Sequence, residues 1–379
     1  MKRVLILGAG FGGLATAHRL KQELDPRDEI ILVDQSDHFA VGFRKTWELV
    51  GLSAPGAVQA SLDRLALKGI RVIHELVNEI DPPARAAVVG EHRMEADALV
   101  IALGAELALE AVPGLAEYAM DVYDPRDIPR AARVLKEMRA GKLIIGIFGV
   151  PYKCPPAPYE MALLINESFR NRKVDVAVEV FTPQPMSLPV LGQAGCDVIE
   201  GRLAENGITF LPNHTATSVE AGQVVFATAR RAFDLLFAVP PHRPPSVVRE
   251  SGLVDDSGWV PVDPRTLETR FPGVYAIGDV VQIMLANGKP LPKAGVFAEA
   301  MGEVVADRIA AQFAGKTSDA AFRGEGGCYL EVGGGQAMMV QGRFLAVPEP
   351  EITLTDPSPR YLDEKRAFET QRLQTWFNG

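Results

Sequence analysis

Apolar positions along the chain fall into short continuous runs, separated by glycine- or proline-marked turns and by stretches with helical spacing. Residues 3–7 (RVLIL) form the first run, the pattern of a strand buried on both faces. A glycine turn follows, then a segment with Leu14, Ala17 and Leu20 on one helical side, then the apolar run EIILVDQ. Strand, turn, helix and strand within about 30 residues predict a right-handed parallel crossover. Further strands are expected at Arg71–Glu75 and Ala98–Ala102, with the Pro82-Pro83 pair as a turn between them. The pattern restarts near Lys142, where KLIIGIFGV predicts a strand, Tyr159–Phe169 a helix and DVAVEVFTP the next strand. The proline run PPHRPP breaks both helix and strand and closes this unit. FPGVYAIGDV then reads as a strand returning to the first sheet. Beyond Phe322, GEGGCYLEVGGG and FLAVPEPEITL predict an antiparallel pair, and Ser358-Pro359 a helix start with Ser as N-cap. The class is α/β. The expected units are 1–110 with 241–320, an inserted 111–240, and a small α+β region at 321–379.

Charge and composition narrow the function. With 39 Lys+Arg against 48 Asp+Glu, a formal charge of −9 excludes a nucleic-acid binder by charge. Three cysteines in 379 residues make no secreted disulfide framework, and no CxxC or His/Cys cluster offers a zinc site. No run of 18 apolar residues occurs, and Val4–Leu7 is too short for a signal-peptide apolar region. The expectation is a cytoplasmic protein, with peripheral attachment to the inner face of the cell membrane left open. Tyr361, Leu362, Phe368, Leu373, Trp376 and Phe377, set among Lys365, Arg366 and Arg372, form a C-terminal helix that either lies in a membrane interface or docks on the body or a dimer partner.

Gly8-Ala9-Gly10-Phe11-Gly12-Gly13 satisfies GxGxxG directly after a strand, opens a helix, and has Asp34 at the end of the next strand. Gly8 and Gly10 allow a tight turn and close approach to a pyrophosphate, and Gly13 allows close strand–helix packing. Asp34 is placed to accept from an adenosine ribose hydroxyl. At the corresponding place in the second unit, residues 149–160 read GVPYKCPPAPYE. Four prolines stand where a pyrophosphate needs backbone N–H donors, and no acidic residue follows at Thr182 or Pro183. NAD(P)H binding in the usual mode is therefore not expected. A thiol, Cys154, takes the place of the cradle, with Lys153 beside it to favour the thiolate. Cys196, near the start of a predicted helix, reads as a buried packing residue.

Two further segments resemble the flavoproteins with two dinucleotide-binding domains. TRFPGVYAIGDV, containing Gly278 and Asp279, resembles their glycine–aspartate motif, in which the aspartate binds the ribityl and pyrophosphate side of the flavin. LVIALGAEL, with Ala102, Leu103 and Gly104, resembles their connecting ATG motif. The resemblance implies FAD. The loop PYKCPPAPYE, the run VPPHRPPSVVRESGL, the segment LPKAGVFAEAMG and the C-terminal CYLEVGGG resemble the sulfide:quinone oxidoreductases and the flavoprotein subunit of flavocytochrome c sulfide dehydrogenases.

That resemblance covers nearly the whole chain. It implies a disulfide-reductase-like fold of two Rossmann-like domains and a redox pair formed by Cys154 and Cys328; the family's frequent third cysteine has no match. It implies that Lys293, before a helix with Ala294 and Gly295, stabilises reduced flavin, and that Gln35, Arg44, Lys45 and Val77 contribute to FAD binding. The expected donor is sulfide or a related sulfur species, and the expected acceptor is a quinone or a separate cytochrome subunit. A homodimer is compatible. A type II NADH dehydrogenase or other NAD(P)H-linked flavoprotein is the alternative enzyme reading, opposed by the prolines at 151, 155, 156 and 158. A flavin–thiol redox sensor without turnover is the third.

Overall fold

The computed structural model describes residues 1–378. Its first sheet has five parallel strands in the order Val274–Ala276, Ala98–Ile101, Arg3–Leu7, Glu29–Val33 and Arg71–Ile73. The apolar runs fill its interior: Val4 to Leu7, Ile31 to Val33 and Leu99 to Ile101 have no exposed surface. The helix Phe11–Glu23 covers one face and packs on the long helix Gly295–Phe313. Small residues set that approach, since a Cβ at Gly302 would meet Gly12 O at 2.5 Å and Thr16 Oγ1 at 2.8 Å. Late strand and late helix thus complete the first unit, as FPGVYAIGDV predicts.

A second parallel sheet has the order Met120–Asp121, Leu235–Val239, Ala140–Ile147, Asp175–Phe181, Thr209–Leu211. The helix Ala157–Arg172 packs on it, its Tyr159, Leu163, Ile165 and Phe169 buried in the second core. Cys196 is fully buried there, its thiol donating to Leu188 O at 3.1 Å.

Two predicted details are corrected. The Pro82-Pro83 turn does not join two strands of the parallel sheet. It is the hairpin between Val77–Asp81 and Ala86–Val89, part of a separate antiparallel meander completed by His92–Glu95. GEGGCYLEVGGG and FLAVPEPEITL do not pair with each other either. Glu325–Gly333 and Glu351–Leu354 flank a middle strand, Gln336–Arg343, which hydrogen-bonds to both. Its sequence QAMMVQGR lacks strict alternation, because both of its edges are covered and its apolar residues pack on several neighbours.

The C-terminal helix Pro359–Leu373 starts at Ser358, whose Oγ accepts from Arg360 N at 3.3 Å. Leu362, Trp376 and Phe377 are buried against the body. Trp376 packs edge-on against Phe11 (5.6 Å) and Phe39 (5.5 Å), and Phe377 lies on Phe39. The apolar side of this helix is therefore spent within the molecule, as the docking alternative expects, and Lys365 is 1% exposed. No helix among the described residues is long and apolar enough to cross a membrane.

Candidate active site

The dinucleotide loop has the geometry a pyrophosphate requires. Gly8 adopts φ +103°, and a Cβ there would strike Ala102 O at 2.3 Å. Gly13 lies so close to Gly8 that a Cβ would meet Gly8 O at 1.8 Å. A Cβ on Gly10, by contrast, would stand in open space. Asp34 braces the loop from the neighbouring strand, accepting from Ala9 N at 2.6 Å and Ser36 N at 2.8 Å. Each carboxylate oxygen keeps a lone pair for a ribose hydroxyl. Ala102 follows its strand directly, with its N–H on Leu7 O, and Gly104 turns at φ +67° into open space. The cradle fits the ADP half of FAD.

The other half of the site is a cleft lined by Gly278, Asp279, Lys293, Ala294 and Phe297 among others. Lys293 is buried rather than solvated. Its ammonium donates to Asp279 O (2.8 Å) and Val281 O (2.9 Å) and stands 3.4 Å above the Trp259 ring. Burial lowers its pKa to about 8, against the pull of Asp279. The Asp279 carboxyl is pushed up by burial, with Lys293 opposing, and has no protein hydrogen-bond partner among the described residues. An unpaired carboxyl beside a buried lysine is the donor set a flavin ribityl and pyrimidine would complete.

The proline loop is stitched to this cleft. Cys154 N donates to Lys293 O at 2.7 Å, and Lys153 and Lys293 form an isolated parallel bridge. Cys154 sits at φ +52°, a left-handed conformation rare for a non-glycine residue, held by Ala157 N (2.9 Å) and Tyr123 Oη (3.3 Å), both donating to its carbonyl. Cys328 arrives on the strand Glu325–Gly333, whose Gly326 lies against Val296 and Phe297 at the start of the Gly295 helix. A Cys154 thiolate is among the causes that raise the Cys328 pKa. Burial is the larger cause for both, and it pushes Cys154 up to about 11. Lys153 is not the cation that favours a Cys154 thiolate; Lys365 and Lys45 are, and burial outweighs both.

The remaining predicted residues divide. Phe11 opens the helix with its ring in the Phe39–Trp376 cluster. Gln35 is exposed, and Val77 begins the meander strand. Arg44 is held by Glu369 (Nε to Oε1 2.6 Å) and Ser53 (2.9 Å). Lys45 turns toward the cysteine loop, donating to Tyr123 O at 2.6 Å, with burial and Lys153 lowering its pKa to about 8. His242 Nδ1 donates to Pro240 O at 2.8 Å, its Nε2 has no partner among the described residues, and burial lowers its pKa to about 3, so the ring is neutral. Sequence reasoning missed Glu160, Glu331, Trp47 and Lys365, which hydrogen-bond to one another in the interior. The signal for Glu160 was the six-residue spacing from Cys154 in PYKCPPAPYE. No metal-binding group of His, Cys, Asp or Glu is found among the described residues.

A family profile described as pyridine nucleotide-disulphide oxidoreductase matches residues 2–302. Among curated proteins, the mitochondrial sulfide:quinone oxidoreductase of Mus musculus is 24% identical over 299 residues, covering 74% of this chain and 66% of that protein. This chain thus spans just under two thirds of that relative's length. The alternative NAD(P)H-ubiquinone oxidoreductase C1 of Arabidopsis thaliana is 27% identical over 350 residues, 76% of this chain and 63% of that protein. Among solved structures, the sulfide:quinone oxidoreductase of the hyperthermophilic bacterium Aquifex aeolicus superposes with a TM-score of 0.90 at 22% identity, over 100% of this chain and 92% of that one. With most of its length inside the matched span, the chain belongs to the pyridine nucleotide-disulphide oxidoreductase family and is an FAD-dependent oxidoreductase.

Proposed function

We propose that this chain oxidises sulfide, or a related sulfur donor, through a Cys154/Cys328 redox pair and FAD, with a quinone as electron acceptor. The observation that carries the reading is the placement of Cys154, whose N–H donates to Lys293 O in a loop whose prolines cannot cradle NAD, with Cys328, on the strand Glu325–Gly333, as the partner that the resemblance implies. When these thiols are joined as a disulfide, a sulfide anion attacks one sulfur. The S–S bond breaks, leaving a persulfide on one cysteine and a thiolate on the other. Bound FAD supplies the two-electron acceptor. Lys293 holds a positive charge in the cleft, where it would face the pyrimidine of a bound flavin, and its hydrogen bonds to two carbonyls fix where that charge stands. Gly278 and Asp279 border the same cleft and would hold the ribityl side. The binding roles of Gln35, Arg44, Lys45 and Val77 belong to this proposal, as does peripheral membrane contact to reach a quinone.

The NAD(P)H-linked alternative gains support from the Arabidopsis relative's name but needs a nicotinamide cradle. The test is an anaerobic visible spectrum of the flavin-loaded protein mixed with sulfide or NADH, then with a short-chain quinone. Bleaching by sulfide, recovery with quinone and loss of both in Cys154→Ser support the proposal. Bleaching by NADH alone overturns it.

A further inference from the structure

Asp34, the residue placed for the adenosine ribose, stands at the head of a turn that a histidine outside the cysteine chemistry holds in shape. Asp34 follows the strand Glu29–Val33, and the chain then passes through Gln35, Ser36 and Asp37 to the short strand His38–Phe39. Main chain anchors the turn at both ends: Asp34 N donates to Ile73 O at 3.1 Å, and Leu62 N donates to Asp37 O at 2.8 Å. His74, directly after the strand Arg71–Ile73, adds a side-chain anchor in the middle. Its Nδ1 lies 3.0 Å from Ser36 O, and its Nε2 lies 2.8 Å from Asp63 Oδ1 on the 3₁₀-helix Leu62–Lys68.

Both of these partners are acceptors. A peptide carbonyl has no proton to give and neither has a carboxylate, so each ring nitrogen must carry one, and the ring is an imidazolium. A neutral ring makes only one of the two bonds and turns a lone pair toward an oxygen at the other. The Asp63 bond is the largest cause holding His74 above its usual 6.5; burial opposes it, and the Ser36 carbonyl and the Asp63 and Asp37 charges add to the rise. Among the described residues, the ionisable groups around the ring are thus Asp63 on the helix and Asp37 on the turn, where Asp37 Oδ1 also meets His38 Nδ1 at 2.5 Å.

From this ring a continuous hydrogen-bonded path leads to the glycine loop. Ser36 is held through its carbonyl by His74, while its N–H donates to Asp34 Oδ1 at 2.8 Å; Asp34 Oδ2 accepts from Ala9 N at 2.6 Å. The position of Ser36 therefore sets the rotation of the Asp34 carboxylate.

We propose that His74 is a positioning residue for FAD: as an imidazolium bridging Asp63 and the Ser36 carbonyl, it fixes the turn that aims Asp34 at the adenosine ribose, and flavin affinity falls when the ring loses its proton. The inference concerns FAD binding alone and is independent of the sulfur chemistry proposed above. The charged ring holds the turn, so affinity is full below the raised His74 value and declines as pH climbs through it, above 6.5. The His74 side chain is 31% exposed and that of Asp63 75%, so solvent screens the pair and the effect on Kd is about three- to fivefold.

The test is equilibrium dialysis of the full chain with FAD at about pH 6 and about pH 9, on either side of the raised His74 value. In the wild type, Kd is higher at the alkaline pH by about three- to fivefold. His74→Gln, which keeps a donor but no charge, gives the alkaline value at both; His74→Arg, charged throughout, gives the acid value at both. A wild-type Kd equal at the two pH values overturns the proposal, and so does a pH dependence that survives in His74→Gln, which assigns it to His38 or another group. Repeating the comparison in Asp34→Asn separates positioning from plain attraction between the imidazolium and the cofactor's phosphates. If His74 acts through Asp34, His74→Gln has no further effect in that background; an undiminished effect there overturns the proposal. Should Asp34→Asn bind too little FAD to measure, the ratio of His74→Gln to wild type is taken at low salt and at about 1 M, where plain attraction is screened: a ratio that persists supports positioning, and one that vanishes overturns it. An Asp34→Asn affinity equal to wild type sinks the ribose assignment and this inference with it.

Discussion

Replacing Lys365 by Met removes the cation from the cluster at nearly constant volume. Glu160 keeps its bond from the Glu331 N–H, and Glu331 keeps Trp47 Nε1, but neither carboxylate retains the ammonium that faces both. Breaking a buried pair by deleting one partner costs about 3–5 kcal/mol, and at about 2–4 °C per kcal/mol for a large domain the melting temperature falls by about 6–20 °C. The loss depends on pH with a definite sign. The folded Glu160 already has its pKa raised above the ordinary 4.5, and losing Lys365, which opposes the rise, raises it further. A group that binds its proton more tightly when folded adds stability at low pH and loses it as pH climbs through the raised folded value. Lys365→Met is therefore closest to wild type in acid, where Glu160 holds its proton, and falls away as pH rises through the raised Glu160 value. Melting followed by flavin fluorescence at about pH 5 and about pH 8 measures this, the larger drop being expected at the higher pH. Equal drops, or a larger one in acid, would refute the claim that two buried carboxylates depend on this one ammonium.

Gly13→Ala places a methyl group where Gly8 O stands at 1.8 Å; backbone must move, and the protein is expected to purify with little flavin, read as the 450-nm to 280-nm absorbance ratio. Gly10→Ala, whose Cβ meets no protein atom, is expected to fold with an unchanged melting temperature yet lose FAD affinity, measured by equilibrium dialysis. Lys45→Met is expected to slow alkylation of Cys154 below about pH 8, where Lys45 is charged, and to leave it unchanged above, where it is not. A pH-independent effect would speak for packing rather than charge.

The strands and the dinucleotide loop were legible because their signals are local. A buried parallel strand needs a continuous apolar run, and a strand-to-helix turn against a pyrophosphate needs glycines at fixed offsets. The middle strand Gln336–Arg343 escaped because a strand covered on both edges by its own neighbours need not alternate. The C-terminal helix was ambiguous for a different reason. Aromatic residues interleaved with Lys365, Arg366 and Arg372 have the same pattern whether the apolar side meets lipid or protein, and only the positions of Phe11, Phe39 and Trp47 separate the two. Glu160, Glu331 and Lys365 come from three distant segments, so no spacing in the sequence could join them; each in isolation is an ordinary charged residue.

The packing of Trp376 and Phe377 on Phe11 and Phe39 joins segments some three hundred and forty or more residues apart in the sequence. Phe11 belongs to the glycine loop proposed to hold the cofactor's phosphates, so the loop does not receive its aromatic cover until Trp376 and Phe377 have been synthesised. The strand Val274–Ala276 and the helix Gly295–Phe313, which complete the same unit, also arrive late. A nascent chain emerging from the ribosome therefore has the nucleotide fingerprint long before it has a firm grip on a nucleotide. Flavin acquisition then waits for segments made long after the glycine loop itself, and the filled site becomes a report that these distant segments have been made and docked.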